Sequence, residues 1–538
     1  MDNNRTIIAV VLIVLLWSGY SLFFTPQQKP LDGNQENVAV NDLQHNENSI
    51  DNKNTSVEKV TPAEKQKLIP TTQAEEKRIK IKSDFFNIEL SSYGATIDSI
   101  ILNKYKTTNE PNSGNYELFN GNKTSLSTFI TSGSDGLSLP SNINYEIGGQ
   151  KSDLIEVKND SVNVSFIASL NGLTIIKTYT FYPSSYSFDL NIELKNNTNT
   201  IINGKLNLLL ISPWDKEKKS QMYSFVGPVS YDGKDLLEDK IKDLETSPKI
   251  YKSNILWSGY TTKYFFTAVN PKNSSEQIFI SANDNFVENK FISPLLDISA
   301  NSSTNLKYSA YFGPKQAEFL SAGNNGFESA IHYGFFHPLA KPLIVVLNFF
   351  YHFIGNYGFS IVLLTVCIKI IFWPLTQKSY KSMKGMQKLQ PEMKKMREKY
   401  GSDKQKLNQE MMAFYKENKV NPLGGCLPML IQIPVFFALY RVLLGSIELR
   451  HAPFILWITD LSAKDPYYVT PLIMGVTMFI QQKMTPTNMD PTQAKIMLMM
   501  PVVFTFMFLN FPSGLVIYWL TNNLLTILQQ YLIRRQPD

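Results

Sequence analysis

The sequence predicts a multi-span α-helical membrane protein, with six transmembrane helices and one large all-β domain outside the membrane. Three observations carry this reading. Long uncharged apolar runs stand at the N-terminus and in the second half. Period-two alternation of apolar and polar residues fills the stretch between them. The charge is split: residues 25–340 hold 30 Lys+Arg and 35 Asp+Glu, whereas the remainder holds 22 and 11, within an overall net charge of +6. The mean hydropathy of −0.14 averages over these unlike parts. An acidic exterior region beside a basic membrane half also argues against a specific nucleic-acid binder, which would show one basic face.

The first element is Thr6–Phe24, 19 residues without a charge, enough for about one bilayer crossing. A cleaved signal peptide would need a shorter apolar core and a small-x-small cleavage site, and none follows Leu16. The run therefore reads as an anchor over residues 1–25, with Trp17, Tyr20 and Phe23 as an aromatic belt at its far end. Residues 26–80 are rich in Asn, Gln, Lys and Glu and read as a tether, because they bury too little apolar surface to offset their ordering entropy.

Residues 81–320 read as a β-sandwich. Tyr186, Phe188, Leu190, Ile192 and Leu194 alternate with Ser187, Asp189, Asn191 and Glu193. Val162, Val164, Phe166, Ala168 and Leu170 repeat the pattern, with Ile167 as its exception. Turn clusters such as Asn171-Gly172 separate the strands. The five histidines, His45, His332, His337, His352 and His451, all lie outside these strands, which speaks against His-based catalysis or metal binding there. Glu89, Asp189 and Glu193 read as solvated carboxylates rather than a glycosidase-type acid pair, and the strands leave room for a sugar- or peptide-binding groove. Residues 321–356 read as an amphipathic interfacial helix and linker.

The remaining spans are Tyr357–Trp373, Gly424–Ser446, Tyr468–Gln481, Ile496–Phe511 and Gly514–Leu532, forming a helical core over 357–533. The last two are separated only by Pro512 and Ser513 and must form a tight hairpin. The loop Pro374–Gly425 carries 12 Lys+Arg against 5 Asp+Glu, and the short basic tail 534–538 begins Arg534-Arg535. The excess of basic residues places this loop and both termini in the cytoplasm. Within the loop, residues 377–420 read as a helical hairpin, turned at Gly401-Ser402 and capped by Asp403. Met383, Met386, Met393, Met396 and, on the second arm, Met411 form an apolar seam. They either hold the two arms together or offer an adaptable surface to apolar clients. The lysines suit a ribosome contact, the positive-inside signal or anionic lipid.

The motifs exclude several chemistries. No GxxxxGK[ST] occurs (Gly148-Gly149-Gln150-Lys151-Ser152 lacks the spacing), and no HExxH. No acidic residue lies within the spans to serve a proton relay. The two cysteines, Cys367 and Cys426, form no CxxC pair. No cofactor and no catalytic residues are expected. The spans do contain Lys369, Gln432 and Arg441. Lys369 either snorkels to the cytoplasmic surface or, with Thr365 one turn earlier and Gln432 on another span, lines a wet cavity open to the cytoplasm.

Three stretches carry a resemblance: Asn421–Tyr440 (NPLGGCLPMLIQIPVFFALY), Ala452–Met484 and Phe511–Gln530 (FPSGLVIYWLTNNLLTILQQ). They are similar to the membrane segments of the YidC family, the bacterial membrane-protein insertases, and the layout of the whole chain matches. The resemblance implies a five-helix core with a hydrophilic groove and a periplasmic β-supersandwich in a Gram-negative inner membrane. It implies insertion of nascent membrane proteins without nucleotide hydrolysis, with the Sec translocon, the ribosome and membrane lipids as further partners. It carries groove roles to Thr365, Lys369 and Gln432, where Lys369 stands in place of the family's usual Arg and lacks its planar fork. It carries a client-helix slide to Ile433, Pro434, Phe436 and Met507, and to Tyr518 and Trp519, where the family often has Tyr-Tyr. The family's occasional long basic C-terminal tail has no counterpart after Arg535. The alternatives are a transporter and an envelope-assembly scaffold with a ligand-binding exterior domain.

Overall fold

The structure, a computed structural model, describes residues 75–149, 152–214, 225–252, 255–272, 275–400, 403–418, 427–485 and 491–535. The anchor expected over 1–25 and most of the tether lie outside these residues. The first strand, Arg78–Lys82, begins within the stretch read as tether. Only Ile79 and Ile81 are buried in it, and two apolar side chains among charges gave too weak an alternation to recognise.

Among the described residues the β region forms three sheets, of five, nine and six strands. In the nine-stranded sheet, Ser187–Asn196 runs antiparallel between Leu173–Phe181 and Ser303–Pro314, with Leu190 opposite both Tyr179 and Tyr308. The predicted alternation holds: Phe188, Leu190, Ile192 and Leu194 are buried, and the residues between them are half-buried. In Val162–Leu170 only Val164 and Phe166 are fully buried, because this strand lies next to the sheet's end. One core residue is a surprise for an apolar interior. Lys177 is fully buried and donates from Nζ to the carbonyls of Gly94 (3.0 Å) and Phe129 (2.9 Å). With the Tyr179 hydroxyl, which donates to Ala95 O at 2.8 Å, it clamps the turn at 94–95, where both residues have positive φ. Burial pushes the Lys177 amine well below its ordinary pKa.

The second half is helical. α1 (His337–Ile354) has Pro338 in its first turn and ends at Gly355, whose φ of +69° provides a left-handed cap. It buries Ala340 and Leu347 and exposes Val345, Phe349 and Phe353. α2 (Tyr357–Lys388) does not stop at Pro374 as expected. Pro removes one backbone donor, and the Thr376 hydroxyl adds bonds to Phe372 O and Trp373 O (3.0 Å each) in the turn that follows. The arm of the hairpin thus grows directly out of the span. α3 (Gln390–Tyr400) and α4 (Lys404–Glu417) complete it, and Asp403 caps α4 by accepting from Gln405 N and Lys406 N.

α5 (Leu427–Gly445), α6 (Val469–Met484), α7 (Pro491–Phe508) and α8 (Ser513–Arg535) follow. Among the described residues, 334–354 and 357–386 are long and apolar enough to cross a membrane. α8 packs against α2 and α6, and α1 packs on α2 and α5. The shared core includes Leu347, Ile361, Leu439, Met474, Phe508 and Val516. α6 and α7 approach closely at Gly475, where a Cβ would lie 2.1 Å from Thr505 Oγ1. The α7–α8 turn is pinned by Ser513 N to Ala463 O (2.7 Å) and Gly514 N to Leu461 O (2.9 Å). That same 446–468 segment meets the β region. Arg450 donates to Lys106 O (2.6 Å) and Thr107 O (3.0 Å), and Asn109 Nδ2 donates to Thr459 O (3.0 Å).

Candidate functional site

The polar residues of the spans meet on α8. Helix periodicity puts Asn522 and Thr526 one turn apart on one face. Lys369 reaches across from α2, only 8% exposed, and donates from Nζ to Thr526 Oγ1 at 2.6 Å and Asn522 Oδ1 at 3.2 Å. From α5, Gln432 Nε2 donates to the same Asn522 Oδ1 at 2.8 Å. One amide oxygen therefore joins three helices around a single ammonium. The snorkelling alternative for Lys369 does not describe this geometry, since the side chain turns inward to α8.

The polar seam continues along α2 and α8. Gln529 Nε2 donates to Thr376 Oγ1 at 2.7 Å, and Gln530 Nε2 donates to Tyr380 OH at 3.2 Å and to Thr485 Oγ1 at 3.1 Å. Asn522, Thr526, Gln529 and Gln530 follow helical spacing, so they form one stripe from the Lys369 level towards the hairpin end of α2. The buried amide oxygens of Gln529 and Gln530 have no protein partner among the described residues. Such atoms favour water or another polar donor.

A recess opens beside Lys369. Its walls are apolar at Ile368, Phe372 and Val435 and polar at Lys369, Gln432 and Asn522. Its volume is about 20 Å³, room for about one water molecule. Where the sequence suggested a wet cavity, the structure has a narrow polar seam, because α8 supplies side chains that fill it. Thr365 is not part of the lining. It is 1% exposed and donates its hydroxyl to Ile361 O, 2.6 Å away in its own helix, the ordinary way for a helical Thr to satisfy its hydroxyl. Asn522 and Thr526 were missed. Their signal was the polar run Thr521-Asn522-Asn523 inside an apolar span.

The residues expected to form a slide divide. Ile433 (43% exposed) and Met507 (46%) face outward. Pro434 is half-buried on α5. Phe436 and Trp519 pack edge to face with ring centroids 4.8 Å apart, and Trp519 also contacts Phe504 and Phe508. Tyr518 is only 2% exposed and belongs to the core, because its neighbour on α8, Trp519, takes the position towards α7. The methionine seam is also turned in. Met383, Met386 and Met393 are buried, while Met396 and Met411 are half-buried. Tyr415 OH of α4 lies 3.9 Å from Met393 Sδ of α3, so Met393 joins the two arms.

Comparison with known proteins agrees with this architecture. Residues 349–538 match the family described as 60Kd inner membrane protein, and residues 78–346 match the YidC periplasmic domain. The chain is 41% identical over 536 residues to a membrane protein insertase YidC from Geotalea daltonii, covering 99% of each chain. It is 46% identical over 454 residues to the YidC of Geobacter sulfurreducens, covering 84% of this chain and 85% of that one. Among solved structures, an active YidC insertase with its first transmembrane domain resolved aligns at 18% identity and a TM-score of 0.37, covering 86% of this chain and 93% of that one. The family models and relatives thus define an inner-membrane protein with a periplasmic β domain and a membrane insertase core. The chain belongs to the YidC family of membrane protein insertases.

Proposed function

We propose that the polar seam around Lys369 is the path by which the polar flank of a nascent transmembrane segment enters the membrane. In this reading the chain has six spans with both termini in the cytoplasm. The hairpin built on α3 and α4 receives the client. The flank displaces the hydrogen bonds along α8, and Lys369 attracts its acidic side chains. An Asp at the centre of a bare helix costs roughly 2.5–3.5 kcal/mol on insertion scales, so even partial pairing with the ammonium matters. The apolar helix then leaves past Ile433 and Met507 into lipid. Each large apolar side chain removed from water contributes about 1.5–3 kcal/mol, which supplies the drive without nucleotide.

The single observation that carries this proposal is the shared acceptor. Asn522 Oδ1 takes hydrogen bonds from Lys369 and Gln432 at the junction of three helices. A contact network of this kind can be exchanged for client groups one bond at a time. The orientation is supported by the meeting of Arg450 with the β region, which puts the 446–468 segment and the periplasmic domain together. Nascent membrane proteins and lipid are the partners this geometry addresses. The basic hairpin suits a ribosome contact, and the Sec translocon follows from the family resemblance alone. Reconstitution of the purified chain into liposomes with a radiolabelled single-span client tests the proposal. Protease-protected client is expected with the natural chain and is lost if the seam is blocked by crosslinking α2 to α8. Undiminished insertion by the crosslinked chain would overturn it.

A further inference from the structure

A second cleft, away from the seam, sits where the β region meets the 446–468 segment. Its volume is about 320 Å³. Lys104, Lys106, Arg450 and His451 line it, against one acid, Glu110. The three permanent cations are not held by carboxylates. Lys104 Nζ lies 3.6 Å from the centroid of the Phe85 ring, and Lys106 Nζ donates to Asn115 Oδ1 at 2.9 Å. Arg450 uses one Nη on two backbone carbonyls, and its guanidinium carbon lies 5.6 Å from the Tyr116 ring centroid. Its other nitrogens have no hydrogen-bond partner among the described residues. Asp460 lies 4.0 Å from His451 Nε2 and within electrostatic reach of Arg450, and it accepts from the backbone of His451 and Ser462. Lys104 and Lys106 thus bring positive charge to the cleft from a region, residues 25–340, whose overall charge is −5. The adjoining loop presents apolar groups outward. Leu456 is 80% exposed, Ile455 is exposed beside it, and Trp457 and Tyr467 form an edge-to-face pair 6.2 Å apart. An apolar tip with an aromatic pair marks a membrane–water interface.

We propose that this cleft binds the phosphate of a phospholipid headgroup from the outer leaflet, gripped by Lys104, Lys106 and the free edge of Arg450. The chemistry required is that of a phosphate ester: an anion with several acceptor oxygens, matched by ammonium and guanidinium donors. Leu456 and Ile455 would then lie among the acyl chains of the same lipid. The bound headgroup ties the β region and the outer turn of the core to one membrane level, where Arg450 already joins them. The inference rests on the orientation proposed above.

The test uses the full chain in nanodiscs containing phosphatidylglycerol with a photoreactive headgroup. Crosslinked peptides are expected to map to residues 104–110 and 450–451, and the Lys104→Gln/Lys106→Gln variant is expected to lower that yield by about tenfold. Crosslinks spread over the outer face and indifferent to the double substitution would overturn the inference. So would equal competition by millimolar inorganic phosphate, which would make this a site for free phosphate. A Thr108→Cys substitution in a Cys367→Ala/Cys426→Ala background, probed in sealed right-side-out spheroplasts, separates the two readings. Its labelling from outside by an impermeant maleimide, without localised lipid crosslinks, defeats the lipid site alone. Absence of outside labelling defeats the orientation.

Discussion

The Lys369 ammonium on α2 and the Thr526 hydroxyl on α8 are 2.6 Å apart. This contact turns the ammonium inward, between two helices that pack on one another. The oxygens that bind this ammonium are neutral and cancel none of its charge. A carboxylate partner would have neutralised it.

That difference predicts the response to charge. Lys369→Arg is expected to retain insertion of a single-span client with an acidic translocated tail, and Lys369→Glu to lower it by at least about tenfold, since charge reversal within a few ångströms is worth more than 1.4 kcal/mol even in a screened setting. Protease protection in proteoliposomes measures it. Equal activity of the two variants would remove the electrostatic role.

Asn522 serves two donors, and Thr526 one from another helix. Asn522→Leu is therefore expected to destabilise the core more than Thr526→Val, by about 1.5–3 kcal/mol, because it leaves a buried charged donor and a buried amide short of an acceptor. Thermal unfolding in detergent checks this. Combining Asn522→Leu with Lys369→Met should recover part of the loss.

Gly475 admits Thr505 where no Cβ would fit. Gly475→Ala is expected to push α6 and α7 apart at a cost of about 1–3 kcal/mol. Thr505→Ala, which removes Oγ1 and Cγ2, should restore most of it. A double-mutant cycle by thermal unfolding reads the coupling, and independent effects would show that the helices do not meet there.

The helical core has its own buried cluster, from Leu347 through Tyr518, apart from that of the β sheets. Deletion of residues 26–320 is accordingly expected to leave insertion in proteoliposomes within about threefold of the natural chain, since the docking bonds through Arg450 are few and each is worth about 1–3 kcal/mol. Complete loss of insertion by a folded deletion variant would place the activity in the β region.

Lys177 couples the β region to pH. Its amine is held below the unfolded value of 10.5, so the unfolded chain binds more protons between the folded and unfolded values. Its contribution to stability is complete above 10.5 and is lost as the pH falls through the folded value. Lys177→Met should abolish that slope. Chemical unfolding of the natural and substituted chains at a series of alkaline pH values measures the difference, and parallel curves would contradict it.

What was legible in the sequence is what depends on neighbours along the chain. Alternation at Phe188, Leu190, Ile192 and Leu194 sets which face of a strand is buried, since the period of a strand is a local property. The cap at Asp403 and the hairpin after Tyr400 are local in the same way. Lys369 was conspicuous because an apolar run makes any charge visible. Tertiary structure alone decided whom Lys369 meets. Asn522 and Thr526 are more than 150 positions away, and only the packing of α8 between α2 and α6 brings them near. Packing likewise turned Thr365 onto its own helix, sank Tyr518 and closed the methionine seam. Helical periodicity states which residues share a face, but the face that meets protein rather than lipid is chosen by side chains arriving from elsewhere.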